Sequence, residues 1–183
     1  MDAALITFAA CLLMSFCGRA HLTIGMMAIS LGRSAGLLLV AVAASLFATA
    51  VVVLAGQQVA VNFNGEVLQW IIVVALIGGA AELVFPFDRP RADEPTRSLG
   101  AIGIVLFLRQ IFDAPRLCLF ASAAALPSAD HAVIGGGGAA ARASFLAWFF
   151  ADCQIGERFR YVVRLSLAVI VLLLALLIGS ITK

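Results

Sequence analysis

Charge is what this sequence has least of. Its 183 residues include 12 Lys and Arg and 10 Asp and Glu, 12% of the chain, against 63% hydrophobic residues. A water-soluble domain covers its surface with about a quarter charged residues. This chain has half that, and its mean hydropathy is +1.11, so water is not its main solvent. A formal net charge of +2 over the whole length makes no basic patch, which excludes a nucleic-acid partner. The same composition excludes a disordered chain and a soluble enzyme. Also missing is the polar and apolar alternation of an outer-membrane barrel; the apolar residues come in long unbroken runs.

Other absences narrow the reading further. Cys11, Cys17, Cys118 and Cys153 form no short paired motif, so they read as small apolar packers rather than a disulfide framework. The run Gly135 to Gly138 has no Lys-Ser or Lys-Thr after it, as a phosphate loop requires; it suits a loop or the loosely wound start of a helix. With two histidines, His21 and His131, and no Ser/His/Asp set, there is no enzyme signature. The start carries Asp2 and no basic region, and its first apolar run is too long for a signal peptide, so none is expected.

What is there is a series of apolar runs. A helix crossing hydrocarbon needs about 20 mostly apolar residues, so that its backbone hydrogen bonds close within the segment. Six runs qualify: 3–30, 34–60, 67–87, 99–126, 133–155 and 159–181. The predicted fold class is therefore an all-α integral membrane protein of six transmembrane helices. The polar stretch 88–98, with Arg89, Arg91 and Arg97, is the one evident linker, separating a first three-helix unit, 1–87, from a second, 99–183. Lys and Arg gather in the odd loops, as Arg33, then Arg89, Arg91 and Arg97, then Arg158 and Arg160. By the positive-inside rule those loops face the cytoplasm and both termini face away from it. A bacterial inner membrane is the expected location.

An odd number of crossings per unit places the second upside down relative to the first. Transporters with such inverted repeats bind substrate where the repeats meet. In the first span of each unit a polar cluster interrupts the apolar run: Ser15-Phe16-Cys17-Gly18-Arg19-Ala20-His21-Leu22, and Arg109-Gln110-Ile111-Phe112-Asp113-Ala114-Pro115-Arg116-Leu117. Pro115 removes a backbone donor, which frees carbonyls nearby. Ionisable groups inside a bilayer are costly and mark sites by default. Arg19, Arg109, Asp113 and Arg116 are the deep ones by this count. Asp113 is spaced to pair with Arg109 or Arg116 on its own helix. Glu82, Asp152 and Arg164 fall within about two turns of a span end and are expected at the interface. Cys17 and His21, four apart, share a helical face and could bind a soft metal.

With two inverted three-span halves, a polar motif in each first span and a charged linker, the chain resembles the GDT family of membrane calcium and manganese/proton exchangers. The family motif is Glu-x-Gly-Asp-Lys-Ser/Thr, often followed by Gln-Leu, once per half. Laid on it, Ser15 takes the Glu position, Cys17 the Gly, Gly18 the Asp, Arg19 the Lys and Ala20 the Ser/Thr, with His21-Leu22 at Gln-Leu. In the second half Gln110 takes Glu, Phe112 takes Gly, Asp113 takes Asp, Ala114 takes Lys and Pro115 takes Ser/Thr, with Arg116-Leu117 at Gln-Leu. Of the four family carboxylates Asp113 remains, and of the two basic residues Arg19.

The resemblance implies a divalent cation/proton antiporter with calcium or manganese as substrate and no resident cofactor. Its ion site would comprise Ser15, Arg19, Gln110, Asp113 and Arg116. Asp113, Gln110 and Ser15 would be the metal ligands, with Cys17 and His21 as the softer-metal alternative. Three guanidiniums around one carboxylate make the expected centre net positive, which repels calcium. Two other classes therefore stand beside the first: a non-transporting membrane subunit, paired with itself or with a complete homologue, whose buried charges fix helix pairing; and a small-solute exporter similar to the lysine exporters. The bilayer is the expected partner in every case.

Overall fold

The computed structural model describes residues 2–16, 18–85, 98–126, 130–152 and 156–180, and every regular element among them is a helix. In chain order these are α1 Asp2–Phe16, α2 Arg19–Leu31, α3 Ala35–Asn62, α4 Gly65–Val84, α5 Leu99–Ile111, α6 Ala114–Ala125, a π-helical turn Ala132–Gly136, α7 Gly137–Phe149 and α8 Glu157–Ser180. The glycine run thus opens a helix through a loosely wound turn. Linker residues 88–97 lie outside the described residues, as does Cys17.

Local chemistry sets the ends. Ser34 caps α3 by accepting a hydrogen bond from the Leu37 amide at 3.2 Å, and Ser98 caps α5 from Ala101 at 3.5 Å. Gly65, at φ +61°, takes the left-handed turn that lets α4 follow α3 with only Phe63 and Asn64 between them.

Three helices, α3, α4 and the 158–180 part of α8, are long and apolar enough to cross a membrane, and α1 with α2 makes a fourth if the bent pair is one span. Their outer surfaces are apolar too: on α8, Leu173 is 60% exposed, Leu176 60% and Leu177 61%. Large leucines left uncovered in this number suit a lipid solvent and would be a liability in water.

Two of the expected spans are not single helices. The run 3–30 is α1 and α2, bent by 56°. Gly18 there adopts an extended backbone. The run 99–126 is α5 and α6, divided at Phe112 and Asp113, with Pro115 in the first turn of α6, where its missing N–H has no helical acceptor to lose. The run 133–155 is shorter than expected, its helix ending at Phe149.

Helix α3 is central and packs against α5, α6 and α7, while α4 packs against α6 and α8 and α1 against the π-helical turn and α7. Small residues make these contacts close, as their runs suggest. A Cβ on Gly56 would sit 2.7 Å from the Phe120 carbonyl oxygen and 3.0 Å from the Ala123 Cβ, so α3 and α6 touch backbone to backbone. Helices α4 and α8 run antiparallel: Gln69 near the start of α4 donates to the Ile178 carbonyl near the end of α8, and Arg164 near the start of α8 donates to Leu83 near the end of α4. Likewise Arg33, just before α3, pairs with Asp152, just after α7.

Candidate functional site

Both helix breaks face the same interior point. Asp113 stands at the N-cap of α6 and is 2% exposed, yet its side chain makes no capping hydrogen bond. It lines a small cavity together with Ser15, His21, Ser45, Arg116 and Ser144. The volume, about 10 Å³, is about that of one water. Across it Ser45 Oγ and Ser144 Oγ lie 2.7 Å apart and join α3 to α7. Ser15 Oγ is buried without a hydrogen-bond partner.

Arg116 is also buried, and donates to Gln110 Oε1 at 3.3 Å, while its Nε and the Gln110 Nε2 find no partner. The structure therefore brings Ser15, Asp113 and Arg116 to one cavity, and places Gln110 behind Arg116 with its oxygen already engaged. The expected pairing of Asp113 with a neighbouring arginine does not form. Arg109 reaches instead to Thr23 Oγ1 on α2 at 3.1 Å, and Thr23 donates to the Arg19 carbonyl at 3.0 Å. The end of α5 is thereby tied to the start of α2.

Two residues expected at the interface, Glu82 and Arg164, are buried between helices. Glu82, near the end of α4, has a side chain 10% exposed. Its Oε2 accepts from the Ala114 amide at 3.4 Å, which puts a carboxylate at the N-terminus of α6, the positive end of the helix dipole. Its Oε1 lies 3.4 Å from Arg19 Nε without hydrogen-bond alignment. Arg164 is buried, donating from Nε to the Leu83 carbonyl at 3.0 Å and from one terminal nitrogen to Glu82 at 2.7 Å and Phe85 at 3.3 Å. It closes the C-terminus of α4, whose last carbonyls have no helical donor. Asp152, in contrast, is exposed.

These partners revise the charge of the centre. Three arginines to one aspartate is the ratio along straight helices. The break at Phe112–Asp113 brings the start of α6 against the end of α4, so Glu82 enters, Arg19 faces it and Arg109 turns to Thr23. The cavity is lined by one carboxylate and one guanidinium and is formally neutral. A signal for Glu82 was available: it follows Gly78-Gly79-Ala80-Ala81, and Gly79 sits against Ala114, where an added Cβ would lie 3.6 Å from the Ala114 carbonyl oxygen.

For the softer-metal set, Cys17 lies outside the described residues, and His21 packs on Phe16 with ring centroids 5.4 Å apart. Among the described residues no three His, Cys, Asp or Glu side chains cluster. Cys11 and Cys118 are free thiols in the packed interior. Arg142 lies over the Phe8 ring at 5.3 Å, a cation–π contact.

Fold and site together define an all-helical protein whose apolar helices point to membrane integration, with a buried polar centre between two broken helices. No protein-family model, curated protein or solved structure matches the chain.

Proposed function

We propose that the chain is a multi-pass membrane transporter of two inverted three-helix halves, GDT-like, which exchanges a divalent cation such as calcium or manganese for protons. The observation that carries this reading is the meeting of both helix breaks at one small polar cavity. There the Asp113 side chain is buried and makes no capping hydrogen bond to α6, nor any other among the described residues. A buried carboxylate that has Arg116 in the same cavity but no hydrogen bond of its own is costly to keep charged, and a visiting cation or proton relieves that cost.

Layout supports the reading as well. With α5–α6 and the π-helical turn with α7 taken as the fourth and fifth spans, the first helix of each half is the broken one. The antiparallel pairs α3 with α7 and α4 with α8 join the second and third spans of one half to those of the other. The Arg33–Asp152 pair joins the segment before α3 to the segment after α7, which fits an arrangement of six crossings. Both segments are cytoplasmic by the positive-inside count.

In this mechanism Asp113 takes the cation on one leg of the cycle and a proton on the other. The hydroxyls of Ser15, Ser45 and Ser144 add neutral oxygens, and backbone carbonyls freed at the breaks complete a coordination shell of six or more. Gln110 holds Arg116 aside. The cavity has room for about one water, so one of the halves must move for a hydrated ion to enter.

The test is manganese-driven proton flux in proteoliposomes holding the purified chain. Asp113→Asn abolishes the flux in this mechanism, and flux equal to wild type would overturn it. The non-transporting subunit is favoured by one observation, the use of Arg109 and Arg164 as structural ties. It predicts no flux with any ion and co-purification with another membrane protein.

A further inference from the structure

We infer that Ser15, His21, Asp113 and Arg116 form a binding site for one water molecule, which joins the two helix breaks through shared hydrogen bonds. The inference goes beyond the transport reading and does not depend on it.

The site is assembled across both breaks. Ser15 is near the end of α1 and His21 near the start of α2, on either side of the first break; Asp113 caps α6 and Arg116 is in its first turn, just past the second. All four line the cavity of about 10 Å³, which is room for one water. They are also the residues of its wall whose polar atoms are left over. Ser15 Oγ, His21 Nδ1 and Arg116 Nε are buried with no hydrogen-bond partner, and the Asp113 side chain makes no hydrogen bond among the described residues. Ser15, Asp113 and Arg116 are each more than nine-tenths buried. The remaining hydroxyls on the wall are engaged, Ser45 with Ser144 at 2.7 Å and Ser144 with the Ala140 carbonyl at 2.9 Å.

The donor and acceptor count selects the ligand. His21 bonds to the Ala143 carbonyl while its Nδ1 has no partner, so Nε2 carries the proton and Nδ1 is an acceptor. The wall therefore offers two donors, Arg116 Nε–H and the Ser15 hydroxyl, and two acceptors, His21 Nδ1 and the Asp113 carboxylate. Water, with two protons to give and two lone pairs to offer, matches all four. With Arg116 on the wall, as in this conformation, an ammonium or metal ion of that size faces a like charge and a halide faces the Asp113 carboxylate. Buried waters make about three such bonds to otherwise unsatisfied groups. A water at this point also accounts for Asp113 and Arg116 sharing a cavity without bonding directly: they pair through it. It satisfies polar groups of both breaks at once, each of which is costly to leave unbonded in an apolar interior.

The test is a crystal structure of the purified full chain, at a resolution that shows ordered water, beside the variants Ser15→Ala and Ser15→Leu. Size-exclusion profile and thermal melt check folding. In the wild type a single peak should stand about 2.7–3.2 Å from an Asp113 carboxylate oxygen, Arg116 Nε, Ser15 Oγ and His21 Nδ1. Ser15→Ala should keep the peak, since the water retains three partners, and Ser15→Leu should lose it, since a branched apolar side chain takes its room. No peak in the wild type, a direct Asp113–Arg116 bond in its place, or a peak that persists in Ser15→Leu would overturn the inference. Soaking wild-type crystals in Mn2+ and in bromide identifies the occupant: an anomalous signal from either ion at that position, with the side chains unmoved, overturns water. If Ser15→Leu does not fold, the wild-type and soaked crystals decide. Manganese-driven proton flux tests the transport reading separately: no flux with the water in place removes that reading and leaves this one, and flux without the water does the reverse.

Discussion

Replacing Arg164 separates two physical accounts of a charged residue near the end of an apolar helix. If its side chain reached out to headgroups, Arg164→Gln would cost little, since a glutamine at an interface is also solvated. The structure has it buried and donating to the carbonyls of Glu82, Leu83 and Phe85. Hydrogen bonds from a charged group contribute about 1.5–3 kcal/mol each in soluble proteins. Pairs inside membrane proteins average nearer 0.6 kcal/mol, because the unfolded chain in lipid also finds partners. For three bonds, and allowing that they share one side chain, the expected loss is about 2–4 kcal/mol. Arg164→Lys should recover roughly half, since an ammonium lacks the planar fork that reaches several carbonyls at once. The assay is reversible unfolding in mixed micelles with increasing sodium dodecyl sulfate, followed by helical circular dichroism. A loss below about 0.5 kcal/mol for Arg164→Gln, too small for even one lost charged bond, would refute the clamp.

Close packing and exposed charge give two further expectations. Gly56→Ala forces a Cβ to within 2.7 Å of the Phe120 carbonyl oxygen and should destabilise the fold by about 2 kcal/mol in the same unfolding assay. Gly137→Ala, whose Cβ would meet Leu46 at an ordinary 3.7 Å, should be neutral or stabilising, because alanine is the better helix former. Arg33→Ala removes an ion pair whose partner Asp152 is 73% exposed, and no change in melting temperature is expected, since such pairs contribute little net stability.

Helices α3, α4 and α8 were legible in the sequence because each is a long apolar run, and length with hydropathy is a local property. The two breaks were half legible: the clusters around Arg19 and Asp113 marked where polar groups interrupt the runs, but a one-dimensional pattern carries no bend angle. The burial of Glu82 and Arg164 was not legible for that same reason: each is covered by an element more than thirty residues distant, Glu82 by the start of α6 and Arg164 by the end of α4. Ser15, Asp113 and Arg116 were legible as candidates because charge and hydroxyl stand out in an apolar run. Ser45 and Ser144 were not, since an isolated serine in an apolar helix is unremarkable until its counterpart on the facing helix is known.

The Ser45–Ser144 bond sits near the middle of α3 and of α7, whose ends are tied by Arg33 and Asp152. A bond at the crossing of two rods acts as a pin, and rods turn about a pin without pulling it apart. Arg33 is twelve residues before Ser45, a lever arm of about 18 Å at 1.5 Å per residue. A turn of about 10° over that arm carries its tip about 3 Å. That is enough to part the exposed ion pair while the two serines stay bonded. The pair at the rim is therefore a gauge of angle, reading out at the surface a rotation that leaves the pivot itself almost unchanged.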